Sequence, residues 1–337
     1  MKYLLTGGAG FVGSHLSEFL LSKGHEVIIL DDFSTGTFDN IVRPSHISVE
    51  TGLHIIADSV TNFDILNYIV PQVDYVFHLA AVVGVKLVLD KPIKTIETNV
   101  EGTQNVLKAA NRYRKPVMIF STSEVYGKSK AKKFSENDDL SMGSIYKERW
   151  SYSASKIVDE YLGMAYFQET KLPVTIVRLF NVVGPRQTGR YGMVLPRFVG
   201  QALAKEDITV YNNGNQIRTF THVTDVIEIL YRLSQNKKSA GKVFNVGSDQ
   251  EIKIKDLAVL VQTLLGSRSK IVNIPYRDAY NVGFEDTLRR VPDMSNTTSF
   301  AGYLATRTLR DMILDVAKFL ISKKIHAKRG DFICLNV

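Results

Sequence analysis

The chain has 337 residues, 45% hydrophobic and 23% charged, and its 42 Lys and Arg outnumber 34 Asp and Glu to leave a formal charge of +8. That length and composition suit a soluble globular enzyme with one large domain or two lobes. The basic residues form no stripe interleaved with aromatics, so nucleic acid is poorly supported and not expected as a partner, and the mild positive field better suits a small anionic ligand.

The predicted elements begin with the apolar run "KYLL", followed by glycines 7, 8, 10 and 13 and then by Val12, Leu16, Phe19 and Leu20 at helical spacing, with Gly24 ending the helix. "EVIIL" closes on Asp31 and "LHIIA" on Asp58, and "DYVFHLA" comes next. Ile93, Ile96, Val100, Thr103, Leu107 and Ala110 then form a second helical stripe ahead of "PVMIF". The segment "RWSYSASKIVDEYL" reads as a helix placing Tyr152 and Lys156 one turn apart on one face. "PVTIVRLF" completes a series of short apolar runs of the kind found in buried parallel strands. Strand and helix alternating in this way predict an α/β Rossmann fold, a doubly wound parallel sheet covered on both faces.

After Phe180 the rhythm breaks into loops rich in Gly, Asn and Arg at 181–193, 211–219 and 276–292, around a helical stretch near Lys255 to Leu265. The expected division is a dinucleotide-binding domain of 1–180 and 217–247, a smaller substrate-binding lobe of 181–216 and 248–325, and a tail, 326–337, with no assigned role. Several absences narrow the class further. The longest apolar stretch, Tyr75 to Val85, is too short to span a bilayer, and the seven histidines show no metal-ligand spacing. Cys334 is the single cysteine, which excludes an intrachain disulfide, and the first strand starting at Lys2 leaves no room for a signal peptide. The expectation is a cytoplasmic enzyme without a metal or a membrane partner.

Two constellations carry chemistry. The glycines satisfy both GxGxxG and GxxGxxG spacing between a strand and a helix, where a backbone without side chains can approach a pyrophosphate at the helix N-terminus. Asp31, 18 residues beyond Gly13, stands where a carboxylate accepts bonds from an adenosine ribose and repels a 2′-phosphate, which favours NAD over NADP. Asp58 is placed to reach the adenine or simply to close a turn. The Tyr152–Lys156 spacing by itself is weak, because Tyr126 and Lys130 repeat it.

The motifs "TGGAGFVGSH", "HLAA", "TNVEGT", "STSEVYG", "YSASK", "RLFNVVGPRQ" and "QIRTFTHVTDV", in that order and reaching to about "RRVPDMS", resemble the extended short-chain dehydrogenase/reductases, specifically their nucleotide-sugar epimerases, decarboxylases and dehydratases. The resemblance implies that Gly7, Gly10, Phe11, Val12, Gly13, Leu79, Ala80, Ala81 and Asn99 join Asp31 and Asp58 around NAD. It implies that Tyr152 is the base, with Lys156 on the nicotinamide ribose and favouring the phenolate, Thr122 bonding the reacting sugar oxygen, and Glu124 assisting. It further assigns Ser123, Asn181, Arg186, Gln187, Arg218 and Arg290 to a UDP-sugar. Tyr126–Lys130 is then a decoy in a polar loop. Lys86 reads as a loop lysine more than a substrate contact, and Asn212 as a turn residue where the family has glycine. The two long helices by themselves suit packing on the sheet, and the resemblance implies that they pair across a two-fold axis into a homodimer.

The members of this family share oxidation at sugar C4 and differ in the fate of the 4-keto sugar. Ser123, where related dehydratases have an acid, disfavours dehydration. "RWxYSxSK", Glu124 and Arg290 keep a UDP-glucuronate decarboxylase open. "GPRQTGRYGMVLPRF" with "GFEDTLRRVPD" most resembles UDP-sugar 4-epimerases, and a 4-epimerase of a UDP-hexose or UDP-hexuronate is the expected activity. A non-catalytic NAD-binding protein is disfavoured because Tyr152, Lys156 and Thr122 are all present.

Overall fold

A computed structural model of the protein describes residues 1–42, 52–189, 193–279 and 285–329. Seven parallel strands build the central sheet: Lys2–Thr6, Glu26–Asp31, Leu53–Ala57, Tyr75–His78, Val117–Thr122, Val174–Leu179 and Lys242–Val246. Numbered in that order they lie across the sheet as 3-2-1-4-5-6-7, with the chain reversing its direction of travel beside the first strand. The first six correspond to the apolar runs of the sequence. The seventh, "KVFNV", is a shorter run, recognisable mainly by its pairing with Val174–Leu179.

Side-chain alternation along each strand feeds two cores. Tyr3, Leu5, Val27 and Ile29 pack on one face beneath helices Phe11–Ser22 and Val223–Gln235. Leu4, Ile28 and Leu30 pack on the other with Val106, Leu107 and Ala110 of helix Pro92–Tyr113. Helix Trp150–Thr170 lies against that second helix and against strand Val117–Thr122. It is locked there by a buried pair: Arg178 donates to Glu160 through Nε at 2.9 Å and Nη2 at 2.7 Å, and Ser121 Oγ donates to Glu160 Oε1 at 2.5 Å. A bidentate pair of this kind sets the angle of the helix as well as its depth.

A third core joins helices Val194–Ala204 and Ile254–Leu264 to Met312, Ile313 and Val316 of helix Leu309–Arg329. Strands Ile208–Tyr211 and Ile271–Ile274 pair in parallel beside it. Strand Ile217–Thr219 is flanked by Glu251–Lys253 and Arg289–Arg290, so the expected boundary at 216/217 separates it from its ladder partners. Helix Ser295–Ala301 packs on the first core of the central sheet, although it falls in the expected second lobe. Asn212 has φ 56°, the left-handed conformation that lets asparagine stand in for glycine. Helix Leu309–Arg329 runs into the expected tail, and residues 330–337, with Cys334, lie outside the described residues. Among the described residues no helix is long and apolar enough to cross a membrane, and no group of His, Cys, Asp and Glu is arranged to hold a metal.

Candidate active site

A cleft of about 720 Å³ opens along the carboxyl ends of the strands and runs under the third core. Its first end is the glycine loop. Gly7 has φ +71°, and a Cβ there would stand 2.7 Å from Ala80 N, while one on Gly13 would stand 2.4 Å from Gly7 O. No side chain fits at either position, so the loop backbone and the start of helix Phe11–Ser22 face the cleft uncovered. This cradle fits a dinucleotide pyrophosphate. Gly10, Phe11, Val12, Leu79, Ala80 and Ala81 line the same end.

Asp31 lies at the end of the second strand and lines the cleft. Ala9 N–H donates to its Oδ2 at 2.8 Å and Phe33 N–H to its Oδ1 at 2.9 Å, which fixes the carboxylate at the rim while leaving lone pairs for a ribose hydroxyl. Burial pushes its pKa up, and those two backbone donors oppose the shift. Asp58 also lines the cleft, held by Ser59 N–H at 2.6 Å and Asn62 Nδ2 at 2.9 Å. Asn99, expected near the cofactor, stands one layer back. It is fully buried behind the wall, its Oδ1 accepting from Val82 N–H at 2.8 Å and its Nδ2 donating to Ser155 Oγ at 3.1 Å. It shapes the loop that lines the cleft and is not itself part of the lining.

At the centre, Thr122 ends the fifth strand and Ser123 and Glu124 follow on a single 3-10 turn, where Glu124 N–H donates to Thr122 Oγ1 at 3.2 Å. Tyr152 and Lys156 reach the same space from helix Trp150–Thr170, and the phenol hydrogen-bonds Thr122. Burial pushes the Tyr152 pKa above its ordinary range, the negative charges of Glu124 and Asp159 add to that, and the Thr122 bond and the Arg290 charge only oppose it. The Lys156 ammonium is taken up by Asp159, 2.8 Å away, with both side chains buried. Tyr126, read as a decoy in a polar loop, is indeed away from the cleft lining, but it is fully buried. Its hydroxyl donates to Asn245 at 2.7 Å, and its ring lies under Arg178.

The far end carries alternating charges. Arg290 Nη1 lies 3.3 Å from Glu124 Oε1, and Arg149 Nη2 lies 3.9 Å from Glu124 Oε2. Arg149 Nη1 lies 3.4 Å from Asp286 Oδ1, which Arg218 Nη2 meets at 2.9 Å and whose partner oxygen accepts from Tyr276 at 3.1 Å. Three guanidinium groups against two carboxylates leave this wall positive. The arginine charges hold the Asp286 carboxyl below its usual range against the effect of burial, which acts the other way and is the larger single influence. Burial lowers Arg218 to about 10, with Asp286 opposing. Asn181, Arg186 and Gln187 line the cleft too, but Asn181 donates to Thr219 O and Gln187 to Val182 O, both at 2.8 Å, and Arg186 is tied to Glu18 at 2.6 Å.

Arg149, Asp286 and Tyr276 are the site residues that the sequence reading missed. Arg149 stands three residues before Tyr152 inside the quoted "RWSYSASK", a spacing that shares a helix face. Asp286 carried no comparable signal. The side chain of Lys86 lies outside the described residues.

A parallel sheet in this order, with a side-chain-free glycine loop and a Tyr–Lys helix beside it, defines a dinucleotide-binding enzyme of the extended short-chain dehydrogenase/reductase class. The chain belongs to the NAD dependent epimerase/dehydratase family, whose model matches residues 3–247, and its cofactor is NAD. It is 43% identical over 295 residues to the UDP-N-acetyl-alpha-D-glucosaminuronate decarboxylase of Bacillus cytotoxicus, covering 87% of this chain and 89% of that one. It is 32% identical to UDP-glucuronic acid decarboxylase 1 of Danio rerio, over 98% of this chain and 75% of the relative. Among solved structures it is similar to the UDP-glucuronic acid 4-epimerase of Bacillus cereus in complex with UDP-glucuronic acid and NAD. That likeness has a TM-score of 0.85 and 27% identity, over 96% of this chain and 100% of the other.

Proposed function

We propose that this enzyme is a UDP-uronate decarboxylase, acting on a uronate or its 2-acetamido counterpart. The observation that carries the reading is Glu124 set between Arg290 and Arg149 in the cleft that also holds Tyr152. A uronate brings one more carboxylate to the site, and a wall with excess guanidinium charge accommodates it beside Glu124. The 43% relative, a decarboxylase by name, supports the same choice over the epimerase expected from the sequence.

In this reading Arg218 and Arg290 hold the diphosphate and sugar ends. Thr122 and Tyr152 bond the sugar 4-hydroxyl, and Tyr152 takes its proton. Bound NAD supplies reversible hydride acceptance at C4, with Gly7, Gly10 and Gly13 around its pyrophosphate, Asp31 on a ribose and Lys156 on the nicotinamide side. The 4-keto uronate is a β-keto acid, so its carboxylate leaves as CO₂ and a proton replaces it at C5. As the hydride is given back to C4 of the pentose, Tyr152 returns its proton to O4, which restores the hydroxyl and leaves the cofactor in its starting oxidation state. Incubation with NAD and either UDP-glucuronate or UDP-N-acetylglucosaminuronate should give a product lighter by CO₂. A product of unchanged mass as the main species would return the assignment to a 4-epimerase.

The proposed assembly is a homodimer. Ile93 and Tyr161 are 71% and 72% exposed on the outer faces of helices Pro92–Tyr113 and Trp150–Thr170, which pack against one another and would meet a second copy across a two-fold axis.

A further inference from the structure

Tyr152, Lys156 and Asp159 stand at i, i+4 and i+7 of helix Trp150–Thr170, a single stripe on one face. Tyr152 and Lys156 line the cleft, and Asp159, with no exposed surface, lies directly behind them. Lys156 Nζ donates to Asp159 Oδ2 at 2.8 Å, and among the described residues no other carboxylate lies within ion-pair distance of that ammonium. We propose that Asp159 is a positioning residue that holds the Lys156 ammonium at the cleft floor, ready for the nicotinamide ribose, and does so without touching the cofactor itself.

The physical case begins with the lysine. A four-carbon stem free to rotate costs entropy to fix, and a buried ammonium without a counter-charge sheds its proton. Asp159 removes both difficulties, because it is fixed on the same helix and the pair is shielded from water and salt. The surroundings offer no substitute. His78, packed behind the same helix pair, has its nitrogens 2.8 Å from Thr6 Oγ1 and 3.0 Å from Thr103 Oγ1. Burial, with the nearby Lys156 charge, lowers its pKa to about 3, so it is neutral. Glu160, the next carboxylate, is committed to Arg178. A carboxylate at this place with only a packing role would be an expensive choice, since burial alone drives its pKa upward and Lys156 is the main group opposing that.

The inference rests on Lys156 being the nicotinamide-ribose ligand, and the test separates the two claims. Affinities for NAD and for ADP, which lacks that ribose, are measured by competition against a fluorescent adenine nucleotide, with melting temperature as a folding control. The proteins are wild type, Asp159→Asn, Lys156→Met and the double variant. Asp159→Asn should weaken NAD about tenfold, the scale of a displaced charge-assisted hydrogen bond, and leave ADP within about twofold. In the Lys156→Met background the same substitution should change NAD by less than about twofold, because the group it acts through is gone. Equal weakening of NAD and ADP, or the same loss in both backgrounds, would overturn the proposal. If Asp159→Asn alone fails to fold, the double variant matching Lys156→Met supports it and a further loss of NAD in the double overturns it. Unchanged NAD affinity in Lys156→Met would overturn the lysine assignment and the proposal together. A loss there with none in Asp159→Asn overturns the proposal alone.

Discussion

Glu124 and Arg290, 166 residues apart in the chain, meet across 3.3 Å where the centre of the cleft joins its far end. One comes just after the fifth strand of the central sheet and the other lies on the short strand Arg289–Arg290, paired with Ile217–Thr219. Their contact ties the strand that presents Thr122 to the elements that carry Arg218. Because Glu124 raises and Arg290 lowers the Tyr152 pKa, the pair also sets the readiness of the proposed base.

Glu124→Gln should therefore move the acid limb of C4 oxidation to lower pH. The sign comes from charge: removing an anion beside Tyr152 favours the phenolate, so its pKa falls and the deprotonated form persists further into acid. The appearance of NADH absorbance in single turnovers, read against pH, measures this before any carbon–carbon cleavage. A limb that stays fixed or moves toward alkaline pH would remove Glu124 from the electrostatics of the base.

Tyr152→Phe should keep the fold and NAD binding while lowering turnover by about two to four powers of ten, the usual contribution of a general acid–base group. Steady-state rates with NAD binding as the control test it. Near wild-type turnover would mean that another group takes the O4 proton.

Asp31→Asn should narrow the preference for NAD over NADP by weakening NAD and relieving the repulsion of a 2′-phosphate. The amide can still accept from one of the two N–H groups that now meet the carboxylate, Ala9 and Phe33, so part of the loop anchorage survives. Titration of both cofactors measures the ratio, and an unchanged ratio would take Asp31 out of the ribose site.

Acid should destabilise the protein through His78, whose folded-state pKa of about 3 lies below the ~6.5 of an unfolded histidine. The neutral buried form contributes its full stability above ~6.5, and that stability is lost as pH falls from there toward 3, because the unfolded chain takes up the proton first. Urea midpoints between pH 7 and 5 should fall less steeply for His78→Gln than for wild type. Parallel slopes would show that His78 does not carry the acid response.

Substituting Tyr161 by Asp should convert the proposed dimer to monomer at micromolar concentration without changing the melting transition of the subunit. Light scattering reports the mass. A wild-type protein already monomeric would refute the dimer.

The sequence by itself determined the parallel sheet, the dinucleotide end and the Tyr152–Lys156 helix, because each rests on local order. Buried parallel strands must be short apolar runs, the pyrophosphate loop must lack side chains at Gly7 and Gly13, and residues four apart on a helix share a face. Asp159 belonged to the same stripe, and its place behind Lys156 was legible in principle from the spacing of seven. Tertiary structure alone decided the rest. The meeting of Glu124 with Arg290, and of Asp286 with Arg218 and Arg149, depends on strands from distant parts of the chain closing over the cleft. The depth of Tyr126, Asn99 and Tyr152 was equally invisible, because burial is a property of what other segments pack against a residue. That burial pushes the Tyr152 pKa upward, and it makes the carboxylate behind Lys156 matter.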